Sequence, residues 1–526
     1  MTRFDPIRLE VLKNALEATA QEMGVVLKLT SFSPNIKERM DASCAIFDVQ
    51  AQLVAQAEHV PVHLGSMLRA VGPTLAMLDP LEDGDVVVVN DPYIAGAHLP
   101  DITLIAPVFV EARCIAYVAS RAHHSDVGGM EPGSMPGRST EIFQEGLIIP
   151  PVRLYRRGVE QKDIMAMILA NVRTPEERKG DINAQLAALR VGIRRVEELA
   201  ERFGAAMLEE GLAAILDYSE RRMRRRLADF PAGRWSGEDC LDDDGSSDDP
   251  VLIRLAVEVT PDRMIFDFEG SSPLRRGNIN AVQAMVHSAV FYSIKILMDA
   301  TLPPNAGVMR PVDIRIPEGS FLDARRPAAV CAANTETTQR LADTVLRVFS
   351  QFAPERIAAA SQGTMNLIGI GGRDPRNGKP YTYIETIGGG QGGRPMGPGM
   401  SGVHANMSNT LNTPIEALEI SYPFRVERYE LREGSAGTGL NPGGEGVVRA
   451  LRIIGHEARV SLQTDRRKFH PYGLHGGGKG ATGVNWMEDE TGARHRLAGK
   501  GSLTLQAGEV IVVETPGGGG WGAENA

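Results

Sequence analysis

Two apolar runs, Ile102-Thr103-Leu104-Ile105-Ala106-Pro107-Val108-Phe109-Val110 and Cys114-Ile115-Ala116-Tyr117-Val118-Ala119-Ser120, flank the short segment Glu111-Ala112-Arg113. Their β-branched and aromatic content predicts two strands joined by a tight turn, so the pair reads as a hairpin. A hairpin brings the residues before its first strand and those after its second to the same end. Before it stand Asn90-Asp91-Pro92-Tyr93 and His98-Leu99-Pro100-Asp101, and after it Arg121-Ala122-His123-His124-Ser125-Asp126. The pattern therefore predicts that His98 and Asp101 face His123 or His124 at close range, the mixed nitrogen and oxygen set that a divalent ion takes. Lone histidines near loop ends are ordinarily surface or capping residues, and only the clustering argues for more. Neighbours in an extended segment point to opposite faces, so one of the adjacent imidazoles ligates and the other lies behind it or toward substrate.

At 526 residues the chain is longer than one hydrophobic core normally serves, which predicts two or three lobes. A formal charge of -10 excludes a general nucleic-acid binder, which needs a basic face to neutralise phosphates. The four cysteines, Cys44, Cys114, Cys240 and Cys331, are far apart and form no CxxC pair, which points to reduced thiols in a cytosolic protein. There is no basic-then-apolar leader at the start and no apolar run long enough for a membrane span, so the expectation is a soluble cytoplasmic protein.

The fold class expected is α+β: a multi-lobed mixed α/β chain with long helices in its N-terminal half and a glycine-rich, β-rich C-terminal lobe. From Pro6 to Leu29 apolar residues recur at spacings of three and four, which predicts an amphipathic helix capped by Asp5. Cys44–Asp48 and Leu53–Ala55 predict a short hairpin, and a further helix starts near His63. From Thr174-Pro175-Glu176-Glu177 a helical pattern continues toward Leu227, as one long helix or a pair, and ends in a basic turn, Arg221–Arg226. The acidic run from Gly237 to Pro250 is the sharpest change of composition. It lacks the alternating ligands and closing Glu of a calcium loop and reads as a solvated linker. It divides the chain into residues 1–236, carrying the metal site and helical region, a central α/β domain over 250–386, and a glycine-rich loop with a β-rich lobe over 387–526.

Gly388-Gly389-Gly390-Gln391-Gly392-Gly393-Arg394-Pro395-Met396-Gly397-Pro398-Gly399-Met400 offers close backbone approach for an anion or a partner interface, with Arg394 available to a phosphate or carboxylate. Near the C-terminus, Gly473-Leu474-His475-Gly476-Gly477-Gly478-Lys479-Gly480 approaches a phosphate loop. Gly480 stands where that loop needs Ser or Thr, so the segment reads as a glycine-rich turn.

Several of these stretches, in this order, resemble one family. They are Asp5-Pro6-Ile7 through Ser31-Phe32-Ser33, Pro61-Val62-His63-Leu64-Gly65-Ser66-Met67, the Asn90–Asp101 and His123–Gly129 segments, Gly388–Gly392, and Thr515-Pro516-Gly517-Gly518-Gly519-Gly520-Trp521-Gly522. Over nearly its whole length the chain is similar to the B component of the hydantoinase/5-oxoprolinase family, which includes N-methylhydantoinase, caprolactamase and related acetone and acetophenone carboxylase subunits. The resemblance implies a division of labour in which an A-type ATPase subunit phosphorylates a substrate oxygen with ATP. The B component carries a divalent metal (Zn, Mn or Fe) and handles the activated cyclic amide.

The same resemblance implies Asp41, His98, Asp101 and His123 as metal ligands, with His124 as the alternate for the last. Asp126 or Glu131, just behind the ligands, is the candidate base or anchor. A hetero-oligomeric hydrolase of hydantoins, 5-oxoproline or lactams is the function implied. An ATP-dependent ketone carboxylase subunit and a non-catalytic scaffold for an ATPase are the alternatives. The Glu58-His59-Val60-Pro61 segment departs from the family's small-residue turn and bears on the pocket wall.

Overall fold

The hairpin is the centre of a seven-stranded sheet in the computed structural model, which describes residues 5–57, 60–298 and 301–524. Its strands are β1 (Ala42–Phe47), β2 (Leu53–Ala57), β3 (Val86–Val89), β4 (Asp101–Val110), β5 (Arg113–His123), β6 (Val152–Arg156) and β7 (Val159–Glu160). They lie in the order β2-β1-β5-β4-β3-β6-β7, every pair antiparallel. Glu111 and Ala112 turn the hairpin with φ of 49° and 63°, the two positive values whose twist matches that of the strands.

Alternation sorts the strand residues onto two faces. Cys44, Ile46, Leu104, Ala106, Val118 and Ala122 face one way, and Ala45, Phe47, Ile105 and Ala119 the other. The first face is covered by the helices Pro6–Thr30 and Pro175–Phe203, which also pack on each other. Asp5 caps the first helix, its Oδ1 accepting the N–H of Ile7 at 2.9 Å and of Arg8 at 3.0 Å. The later helical stretch is a pair, Pro175–Phe203 and Ala205–Leu227, parted at Gly204. On the second face lies the short helix His63–Leu68, pressed against the helix Gln283–Leu297. A side chain at Gly65 would put its Cβ 2.4 Å from the Ser288 nitrogen, so only glycine allows this approach.

The acidic run is not a solvated linker. Its first part is the strand Gly233–Leu241, paired along its length with Val251–Val259 in a four-stranded sheet that the helix Thr337–Phe349 covers. Asp242 and Asp244 beyond the strand are buried. The charges are met from far along the chain: Arg466 contacts Asp239 at 2.9 Å, and Asp242 accepts the backbone N–H of Phe469 at 3.1 Å. No local reading of composition could see those partners. A single hydrophobic cluster runs from Leu12 to Met407 through both sides of this segment, so the core does not divide there.

Two further sheets form a sandwich at the C-terminal end. One contains Pro380–Glu385, Leu367–Arg373, Ala458–Gln463 and Lys500–Leu505. The other contains Phe424–Arg432, Gly446–Ile453, Val510–Glu514, Val484–Glu488 and Arg494–Leu497. Ile370, Tyr383, Phe424, Leu451, Leu462 and Val513 fill the space between them. Beside the sandwich four glycine-rich segments run against one another as bare backbone. Gly390 donates to the Pro516 carbonyl at 3.0 Å, Gly444 to Gln391 at 2.8 Å and Gly518 to Gly444 at 2.9 Å, while Gly478 donates to Thr438 at 2.7 Å. The segment expected to be a partner-facing loop is thus largely interior: residues 388–393 are buried apart from Gln391, and only its Arg394–Met400 end reaches the surface. Arg394 turns back there onto the Pro398 carbonyl at 3.0 Å. The phosphate-loop-like segment around Gly480 belongs to the same bundle, its N–H bound to the Pro471 carbonyl at 3.0 Å.

A Cβ at Gly390 would meet Gly444 O and Gly518 N at 2.1 Å, both rigid backbone atoms. Gly390→Ala should therefore destabilise the chain by about 3 kcal/mol or more, at the upper end for overpacked sites. Gly72→Ala, whose Cβ would meet only the Ala51 methyl at 3.8 Å, should stay within about 0.5 kcal/mol of the parent. Denaturant midpoints that are equal for the two variants would contradict the packing described.

Candidate functional site

The register of β4 on β5 sets Asp101 directly opposite His123. Thr103 and Arg121, two residues further in on each strand, share their face, and Arg121 Nε donates to Thr103 Oγ1 at 2.9 Å. His98, in the turn before β4, brings Nε2 to 3.5 Å from Asp101 Oδ2, and its ring meets that of His123 edge-on with centroids 4.9 Å apart. The opposite ring nitrogen, Nδ1, lies 3.2 Å from the Cys331 carbonyl, the contact of an N–H donor. Nε2 is then the lone-pair nitrogen, and the Asn334 amide lies 3.3 Å from it.

A fourth residue joins from the helix on this face. His63 Nε2 stands 3.6 Å from Asp101 Oδ1, and Ser43 Oγ holds its Nδ1 at 2.9 Å. A separation of 3.6 Å is too long for a hydrogen bond. Both carboxylate oxygens of Asp101 and Nε2 of His63 are accordingly buried without a hydrogen-bond partner among the described residues. Burial pushes His98 down to about 4 against the pull of Asp101, so its imidazole is neutral near pH 7. Burial alone would raise the Asp101 carboxyl, but His98 and His63 beside it outweigh that and hold it well below the usual carboxylate range.

Three imidazoles and an ionised carboxylate are the donor set of zinc, manganese or iron. Among the described residues no three of these side chains converge tightly enough to hold an ion as they stand. The orphaned atoms nonetheless fit one: a buried polar atom left unpaired is costly, and a cation between His63, His98, Asp101 and His123 would satisfy them together.

The carboxylate of Asp41 lines the same cavity as His98 and His123, and its carbonyl accepts the His123 N–H at 2.9 Å. Val60, Val62, Met365, Leu367 and Ile384 form apolar walls, and Arg39, Asn334, Thr335, Thr386, Ser408 and Thr410 supply the polar ones. Val60 thus bears on the pocket wall as expected of its segment, while Glu58 and His59 lie outside the described residues. The free space is about 20 Å³, room for about one water.

The other sequence-derived candidates lie elsewhere. His124 points through the sheet to the helix Pro175–Phe203, where Nε2 meets Gln185 Oε1 at 3.0 Å, so of the adjacent pair only His123 faces Asp101. Asp126 accepts from Gly128, Gly133 and Arg173 through both oxygens, including the Arg173 guanidinium at 2.8 Å. Glu131 is held bidentate by Arg459 at 2.8 and 2.6 Å. Neither carboxylate reaches the cavity, and both brace loops instead. His63 was missed as a site residue: it is a lone imidazole at the start of a short helix, and only its place in the Pro61–Met67 motif set it apart.

What the geometry defines is a mixed α+β protein with a His–Asp cluster sunk between its N-terminal sheet and its C-terminal sandwich. The chain belongs to the Hydantoinase B/oxoprolinase family, whose model matches residues 5–524. It is 37% identical to 5-oxoprolinase 1 of Arabidopsis thaliana, over 99% of this chain but only 42% of the plant protein. It is 30% identical to the B component of a putative D-/L-hydantoinase from a Pseudomonas species, over 99% of this chain and 90% of that one. The ATP-dependent caprolactamase of Pseudomonas jessenii has the same fold, with a TM-score of 0.92 at 29% identity, over 99% of this chain and 92% of that one.

His124 also makes the fold acid-sensitive. Burial, aided by the Arg178 cation, pushes its imidazole below the ordinary value, so the unfolded chain takes up a proton that the folded chain refuses. Its contribution to stability is complete above about pH 6.5 and is lost as the pH falls below it. His124→Gln should flatten the dependence of unfolding free energy on pH by up to about 1.4 kcal/mol per pH unit on the acid side. Parallel curves for variant and parent would refute this.

Proposed function

We propose that this chain is the metal-bearing component of an ATP-dependent cyclic amide hydrolase, working with an A-type ATPase that phosphorylates the ring amide. The observation that carries the reading is the group His63, His98, Asp101 and His123, with its orphaned buried atoms, at the floor of a closed cavity. Two lengths support a separate partner. The chain corresponds to under half of the plant 5-oxoprolinase but to nearly all of the bacterial hydantoinase component. In the first, the remaining functions ride on the same polypeptide; in the second, they belong to another chain. No helix of the described residues is long and apolar enough to cross a membrane, and the four cysteines are free, so we place the complex in the cytoplasm.

An amide resists water because resonance drains its carbonyl of electrophilicity, and phosphorylation of its oxygen turns that oxygen into a leaving group. A divalent ion held by His63, His98, Asp101 and His123, with Asp41 joining them, would supply Lewis-acid polarisation and a lowered water pKa. The Cys331 carbonyl fixes the tautomer of His98, and Ser43 and Asn35 hold the rings of His63 and His123. The apolar walls keep bulk water from the activated ring, whose loss would waste ATP. A ring substrate needs more room than about one water, so the segment carrying Ser408 and Thr410 moves aside to admit it.

With its A-type partner the chain should open at least one ring in a set of hydantoins, 5-oxoproline and lactams, with phosphate release coupled to ring opening. His63→Ala and Asp101→Ala should lower bound metal, read by elemental analysis, and reduce kcat by about 100-fold or more. Asp126→Asn should leave metal content unchanged. Full metal loading in both alanine variants, or no turnover of any ring, would defeat the proposal.

A further inference from the structure

Six arginines rank among the largest fully buried side chains, and four of them are neutralised in place. Arg178 meets Asp181 at 2.8 Å, Arg340 meets Asp465 at 2.7 Å, Arg449 meets Glu385 at 3.1 Å and Arg466 meets Asp343 at 2.7 Å. The fifth, Arg121, spends Nε, Nη1 and Nη2 on Thr103, Ser66 and the Ala95 carbonyl and lies in the field of Asp101. The sixth is Arg39. It is 1% exposed, yet it forms no ion pair with any carboxylate among the described residues.

Arg39 reaches from the turn ahead of β1 across to the C-terminal sandwich. There Nη1 donates to the Ile384 carbonyl and Nη2 donates to Thr386 Oγ1 at 2.8 Å. Its Nε is buried with no partner. Two of five N–H donors are therefore used, and the remainder line the cavity that holds Asp41, His98 and His123. Thr386 Oγ1 is itself braced by Thr410 Oγ1 at 2.8 Å. His404 nearby offers no counter-charge: burial, with Arg39 adding to it, pushes its imidazole down to about 3. A desolvated guanidinium without a carboxylate is expensive to keep, and a planar fork with free N–H groups is the protein's usual receptor for an oxyanion.

We propose that Arg39 is the anion-recognising residue of this cavity, anchored by Ile384 and Thr386 so that its free N–H edge takes an oxyanion of the substrate. The inference rests on the cavity being the ring-opening site, and it narrows the substrate. The oxyanion is either a carboxylate carried by the ring or the phosphoryl group placed on its oxygen.

The test is calorimetric binding to the purified full chain, which needs neither a partner nor turnover and so stands or falls apart from the hydrolase assay. The probes are 5-oxoproline, its carboxylate-free analogue 2-pyrrolidinone, and inorganic phosphate. Wild-type chain should bind at least one anionic probe, and Arg39→Met should weaken that binding about tenfold or more, with metal content unchanged. Loss confined to 5-oxoproline assigns the ring carboxylate, and loss confined to phosphate assigns the phosphoryl group. Arg39→Lys, which keeps the charge and loses the fork, guards against misfolding of the methionine variant and should still weaken binding several-fold. Anion affinities unchanged in Arg39→Lys, or a wild-type chain that prefers 2-pyrrolidinone to both anions, would overturn the proposal.

Discussion

The pairing of Asp101 with His123 across β4 and β5 is the constraint on which the rest of the site depends. Side chains alternate along a strand, so a slip of one residue would send Asp101, Arg121 and His123 to the helical face and bring His124 forward in their place. Apolar residues guard the register on both sides. Leu104, Val118 and Ala122 must lie under the long helices, while Ile105 and Ala119 must lie under the His63–Leu75 region. The glycine-free turn at Glu111 and Ala112 closes the hairpin at its far end. With the register fixed, His98 reaches Asp101 from the preceding turn and His63 reaches it from the helix above, with no long side chains needed.

The site lies at a seam. Its floor is the N-terminal sheet, and its roof comes from the C-terminal sandwich and the segments beside it. Several charged groups near the cavity cross that seam or brace its edges: Glu131 to Arg459, Arg39 to Ile384 and Thr386, and Asp126 to Arg173. These contacts explain why acidic residues close to the ligands in sequence are absent from the cavity. They hold the two parts in place, and a carboxylate that has satisfied both oxygens with N–H donors is a poor base.

Much of this was legible in the sequence because the signals were local. The helices Pro6–Thr30 and Pro175–Phe203 follow from spacing and caps, and the hairpin from composition and a short polar gap. The proximity of His98, Asp101 and His123 follows from that hairpin, and so does the opposite heading of His124. His63 could not be joined to them by spacing, because a tertiary contact between a helix and the sheet brings it in. The acidic stretch around Asp242 misled for the same reason: its partners Arg466, Arg467 and Lys500 stand more than two hundred residues away in the chain. Glycine-rich segments read as surface loops because glycine reports conformational freedom and says nothing about whether the freed space faces water or another backbone.

The glycine bundle beside the sandwich has a thermodynamic character of its own. Where Gly390, Gly444 and Gly518 meet, the contact is peptide on peptide, with hydrogen bonds but almost no hydrocarbon. Melting such a region exposes mainly polar surface, which lowers the heat capacity of unfolding, whereas exposing the Leu- and Val-rich core raises it. Stability supplied by the bundle therefore fades less on cooling than stability supplied by the apolar core. The two halves of the seam around the cavity are thus held by forces that respond to temperature in opposite ways.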